Sequence, residues 1–175
     1  MRQYVEFASR TLALGTTLVA TLVLLVVVFP ALPIGSEMLD VKAGYTYGEA
    51  VAAMESYGDR GRQVYVWASL TLDTLLPFVY VSFLAGFVFR FRPTERLWRL
   101  AFVPLAAGVL DLCENIQVIL MLTLYPDVSA GQVAVASWFT LSKRYAFTAG
   151  LLLAIVLAVI AAARRVRYGL RDRRA

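Results

Sequence analysis

Four long runs of apolar residues, nearly free of charge, alternate along the chain with polar stretches rich in arginine. The first run, Thr11 to Phe29, carries no charged residue. At about 1.5 Å per residue it is long enough to cross a hydrocarbon layer of about 30 Å. Three more spans are predicted at about residues 64–89, 100–124 and 133–163. The last helix is too long for a bilayer alone, so its first part must tilt, bend or protrude. Arg2 and Arg10 precede the first run as they would in a signal peptide. The run is long for such a peptide, however, and no small-x-small site follows, so it is read as a retained span. The pattern predicts an all-α integral membrane protein: one domain over residues 1–175, a four-transmembrane-helix bundle with a basic tail at 164–175.

Residues 30–62 form the one long connection. It opens with Pro30 and Pro33 and carries a small acidic excess, Glu37, Asp40, Glu49, Glu55 and Asp59 against Lys42, Arg60 and Arg62. Thr46 and Glu49 have the spacing of a capping box, Tyr47, Val51, Met54 and Tyr57 recur at helical intervals, and Gly58 is placed as a stop. A short amphipathic helix is predicted there, lying on the bundle. Ser129 and Gln132 form a second capping box that opens the last helix.

Composition agrees: 60% of residues are hydrophobic, well above the roughly 45–50% of soluble domains. The net charge of +5 sits in arginine clusters beside the spans, a topology signal rather than a nucleic-acid footprint, so no nucleic-acid partner is expected. Counting head, second connection and tail against the other two connections gives 12 basic residues against 5. Both termini are therefore expected in the cytoplasm, with the protein in a bacterial inner membrane. Trp98 then marks the inner interface, and Trp67 and Trp138 the outer one. The chain has no histidine and one cysteine, Cys113. That removes histidine-based triads, metal sites and proton relays, and any intrachain disulfide.

The candidate chemistry lies inside the spans. Asp73 precedes Pro77 in the second, and Asp111, Glu114 and Asn115 share one face of the third at i, i+3 and i+4. Pro77 can kink its helix and free a backbone carbonyl. Counted up from the inner arginines, Asp73, Asp111, Glu114 and Asn115 lie about 18–25 Å from the inner boundary, and Lys143 and Arg144 at about 30 Å. One polar layer in the outer half of the bilayer follows, in which Lys143 or Arg144 would reach inward to pair with Asp73 or Glu114. Three carboxylates face at most two basic groups unless Arg62 also turns inward, so at least one acid lacks a partner there and is pushed toward its protonated form, while Lys143 and Arg144 would tune the acids or hold an anionic head group. Glu114, close in depth to Asp73, is the candidate reactive group, and Asp111 the one expected to stay protonated. Tyr80, Ser69 and Thr140 join them as ligand-binding candidates. Ser137, Thr140, Arg144 and Thr148 make a polar stripe on the last helix, and Tyr65 and Tyr145 are read as interface anchors.

Three functions fit. The first is a cavity in the outer half of the bilayer that binds a lipid-like or amphiphilic molecule, with Asp73, Glu114 and Asp111 open to acid/base work. In the second, the charged layer is glue in a structural or assembly subunit of a membrane complex, or in a homo-oligomer. The third is a small proton- or ion-coupled transporter, which the apolar cytoplasmic half disfavours. Membrane lipids are the expected partners, and neither a metal nor a cofactor is called for; two carboxylates one turn apart are a weak metal signal. No nucleophile elbow or phosphate loop occurs.

Asp-Leu-Cys-Glu-Asn in the third span and Leu-Asp-Thr-Leu-Leu-Pro-Phe in the second resemble a group of uncharacterised bacterial four-helix membrane proteins. The layout is also loosely similar to the emopamil-binding (EXPERA) superfamily, through Asp40, Asp73 and Pro77 over about 15 residues. That likeness implies acids lining a lipid or sterol pocket, and in some members sterol isomerisation by proton transfer. The third-span Asp-x-x-Glu-Asn is no part of that pattern.

Overall fold

The computed structural model describes the backbone of residues 1–172 and the side chains of residues 1–167. Arg173 and Arg174 of the expected tail, and the side chain of Arg171, lie outside the described residues. The helices are α1 (Arg2–Ala8), α2 (Thr11–Val23), α3 (Tyr47–Leu70), α4 (Leu72–Phe91), α5 (Phe102–Leu124) and α6 (Ala130–Asp172). A π turn at Leu24–Val28 and a 3-10 turn at Phe29–Ala31 prolong α2, and a 3-10 segment, Glu95–Ala101, leads into α5. Thr11–Ala31, Tyr47–Phe91, Glu95–Leu124 and Ala130–Arg167 are long and apolar enough to cross a membrane.

Two apolar clusters hold the bundle. At one end Met54, Tyr65, Val118, Met121 and Val133 pack under the 30–46 connection. At the other Leu84, Val88, Ala101, Ala154 and Leu157 pack together. On α5 and α6 the charged positions fall between these clusters, so the polar layer is sealed above and below by apolar contacts.

The head, read as a short lead-in, forms α1. Val5 and Ala8 are buried, and the Tyr4 and Ser82 hydroxyls lie 2.6 Å apart. Gly86 makes the approach possible, because a Cβ there would overlap the Ala8 carbonyl. Arg2 pairs with Glu95 at 3.1 Å, and Arg164 donates to the Pro93 carbonyl at 3.2 Å. Head, second connection and the beginning of the tail thus meet at one end of the bundle.

The Thr46–Glu49 capping box is present in both halves. Gly58 bends the helix rather than ending it, with φ 63° and ψ 176°, a conformation that glycine tolerates. The chain resumes its helix because Gly61 and Tyr65 continue the buried face of Met54 and Tyr57. Arg62 donates to the Met54 carbonyl that the bend exposes, at 2.8 Å. It pairs with Asp59 and stacks 4.3 Å over Tyr125, so it does not turn inward. Ser129 caps α6, but the Gln132 amide reaches Gln117 Oε1 at 2.7 Å instead of closing its box.

Between α3 and α4 the helix breaks at Thr71, φ −115° and ψ −77°. The Thr74 hydroxyl takes the Ser69 carbonyl at 2.7 Å, and the Thr71 hydroxyl joins its own backbone N–H on the Trp67 carbonyl, also at 2.7 Å. This break and Pro77 together set the position of Asp73.

Candidate functional site

The third-span polar residues all face inward: Asp111 is 3% exposed, Glu114 0% and Asn115 2%. Val109 and Ile116, on the opposite face of α5, are exposed. Lys143 reaches down from α6 to bridge the two acids, 3.3 Å from Asp111 Oδ1 and in direct contact with Glu114 Oε2. The ammonium is therefore spent on Asp111 and Glu114 rather than on Asp73, and Asp111 is a paired acid rather than the isolated one expected. Arg144, one residue and about 100° further round the helix, is exposed and does not join the cluster; nor does Thr148.

Asn115 has a definite partner. Its Nδ2 donates to the Asp73 carbonyl at 2.9 Å. Residue 77 would normally donate to that carbonyl within the helix, but a proline has no N–H. The group freed by Pro77 is thus satisfied from α5, and the bond couples α4 to the cluster.

The Tyr80 hydroxyl is a neighbour of Asp111 but does not complete a hydrogen bond to it. Ser69 Oγ, Glu114 Oε1 and Asn115 Oδ1 are likewise buried with no hydrogen bond among the described residues. Thr140 is buried beside them and donates to its own helix, to the Ala136 carbonyl at 3.2 Å. Tyr45, in the connection, packs over the layer, its backbone N–H donating to Ser137 Oγ at 2.9 Å. Burial pushes its phenol up to about 12, so near neutral pH it remains a donor.

The cavity lies beside this cluster. About 330 Å³ of space opens between the end of the first span, Leu25 and Phe29, the connection at Met38, Asp40 and Val41, and Asp73 on α4. Leu25 and Val41 are exposed, so it communicates with the bundle surface. Asp73 is 2% exposed, and its carboxylate has neither hydrogen bond nor ion pair among the described residues. It is the predicted site residue that lines the cavity; Asp111, Glu114, Asn115, Lys143 and Thr140 form the packed layer next to it.

Asp40, which the helical spacing did not place at the site and only the loose likeness to the emopamil-binding superfamily touched, lines the cavity with Asp73. The Tyr65 hydroxyl donates to Asp40 Oδ1 at 2.8 Å, and Tyr65 is fully buried rather than an interface anchor. The connection that carries Asp40 is pinned to α3. The Tyr57 hydroxyl donates to the Glu37 carbonyl at 2.7 Å, and Ile34 packs so closely on Gly61 that a Cβ there would overlap its carbonyl. Tyr145, Trp67 and Trp138 are exposed, as interface anchors would be.

Comparison of the chain with models of protein families, with curated proteins and with solved structures finds no match.

Proposed function

We propose that the protein binds an amphiphilic small molecule from the bilayer, placing its head group between Asp40 and Asp73 and its apolar body against Leu25 and Phe29. The observation that carries this reading is the Asp73 carboxylate, buried at a cavity of about 330 Å³ with no cation paired to it among the described residues. The volume falls in the range of small-molecule sites. A buried carboxylate is costly unless something compensates it. Lys143 is engaged by Asp111 and Glu114, Arg62 by Asp59 and the Met54 carbonyl, and Arg144 points away. The compensating charge then comes with the ligand, which favours a basic amine head group. Any acid/base step falls to Asp73, which, unlike Asp40, has no hydrogen-bond partner for its carboxylate among the described residues, while Glu114 and Asp111 hold the layer in register with Lys143.

The proposed setting is the inner membrane with both termini in the cytoplasm. It is supported by the meeting of head, second connection and early tail at the arginine-rich end.

The test is binding of a medium-chain alkylamine, with the fatty acid and alcohol of equal length as controls, to protein purified in mild detergent. A charge-assisted bond is worth about 1.5–3 kcal/mol, so the amine should bind wild type roughly tenfold or more tighter than Asp73→Asn. Equal binding of amine and acid, or an undiminished affinity in Asp73→Asn, overturns the proposal.

A second reading takes the Lys143 bridge as helix glue in a structural subunit. The unmade hydrogen bonds of Ser69, Glu114 and Asn115 weigh against it, because each costs about 1–3 kcal/mol in a layer selected for stability alone.

A further inference from the structure

We propose that the opposite, arginine-rich end of the bundle is a second binding site, which holds the phosphate of an anionic phospholipid in the groove between the end of α4 and the late turns of α6. Arg90, Arg92, Arg164 and Arg165 line one cavity of about 290 Å³ there, with Phe91 and Ile160. A topology signal needs only positive charge near the inner surface. It does not need four arginines, from the end of α4 and from α6, to line one space.

Several of these groups are already fixed by protein oxygens. Arg90 donates to Thr11 Oγ1 at 2.9 Å and to the Ser9 carbonyl at 3.3 Å. Arg92 lies 3.7 Å over the Phe89 ring, donates to the Phe89 carbonyl and pairs with Glu95. Arg164 donates to the Pro93 carbonyl. Among the described residues, Glu95 is the carboxylate that pairs with any of them, and it is shared with Arg2. The groove thus holds an excess of positive charge whose donors are held before a ligand arrives, which lowers the ordering cost of binding. Guanidinium groups suit phosphate oxygens because they can offer paired N–H donors.

The apolar side of the groove selects a lipid over a free anion. Ile160 lines it, and Val156, one turn away on the same face of α6, is 52% exposed. An acyl chain hanging from a head group at the arginines would lie along that stripe, whereas inorganic phosphate would leave it unused.

The experiment uses full-length protein, delipidated in mild detergent. Phosphatidylglycerol, phosphatidylcholine with matched chains, and inorganic phosphate are added in turn. Bound lipid is counted by native mass spectrometry, and the melting temperature is recorded. Two variants remove equal charge: Arg164→Gln/Arg165→Gln inside the groove, and Arg96→Gln/Arg99→Gln at the same end outside it. Phosphatidylglycerol should be retained over phosphatidylcholine. Its affinity should fall about fivefold for each groove arginine removed, and stay within about twofold in the control variant. Equal losses in both variants would reduce the site to a diffuse field. Equal retention of the two lipids, or stabilisation by phosphate matching that by phosphatidylglycerol, would also overturn the proposal. A groove variant that fails to fold shifts the test to Arg165→Gln alone, which should show the single fivefold loss; no loss in that variant overturns the proposal.

Discussion

Replacing Lys143 by methionine tests the polar layer most directly. The substitution keeps the length of the aliphatic stem and deletes the charge that bridges Asp111 and Glu114, which are 3% and 0% exposed. Removing one partner of a buried ion pair costs about 3–5 kcal/mol, because the remaining charge stays buried without compensation. For a chain of this size each kcal/mol moves the melting temperature by about 2–4 °C, so a drop of roughly 6–20 °C is expected in detergent solution. Adding Glu114→Gln to Lys143→Met should recover at least about 1 kcal/mol, since one of the two acids left without a cation is then gone. Asp73→Asn should behave oppositely. It removes a buried acid that no cation among the described residues compensates, so the melting temperature should hold or rise, even as alkylamine binding is lost. Static light scattering or intrinsic fluorescence during a thermal ramp reads all four proteins. A neutral Lys143→Met, or an Asp73→Asn as damaging as Lys143→Met, would refute the charge assignment made here.

Two further outcomes follow from the backbone. Asn115→Leu leaves the Asp73 carbonyl without a donor, at a cost of about 1–3 kcal/mol; adding Pro77→Ala restores an N–H within the helix and should recover part of that loss, whereas additive losses in a thermal ramp would argue against the bond. Gly86→Ala should displace α1, because the new Cβ meets the Ala8 carbonyl, whereas Gly108→Ala meets only Val81 Cγ2 at 2.7 Å and should cost less. Limited proteolysis should then cut the head of Gly86→Ala faster than that of wild type, and unchanged cleavage would refute the packing.

The spans and the inward face of α5 were legible because each depends on a local repeat. Apolar length marks a spanning helix, and i, i+3, i+4 spacing places Asp111, Glu114 and Asn115 on one side whatever the rest of the chain does. Which of Lys143 and Arg144 turns inward was not legible. They are adjacent on a helix, and only the packing of α6 on α5 decides between them. Asp40 left no mark in the hydrophobic pattern, and only the loose superfamily likeness touched it. Its position is set by hydrogen bonds to Tyr65 and by the close fit of Ile34 on Gly61, neither of which leaves a periodic trace. The seven residues of α1 are too few to show a helical pattern, and their fold depends on a glycine nearly eighty positions away.

The hydrogen bond from Asn115 to the Asp73 carbonyl has a consequence for how the chain enters a membrane. While α4 stands alone in lipid, Pro77 leaves one backbone oxygen with nothing to accept from, a defect worth several kcal/mol in hydrocarbon. That defect is repaired only when α5 has emerged and docked. In a membrane, the second and third of the four long apolar helices would therefore insert together as a hairpin, since the second lacks its donor until the third docks.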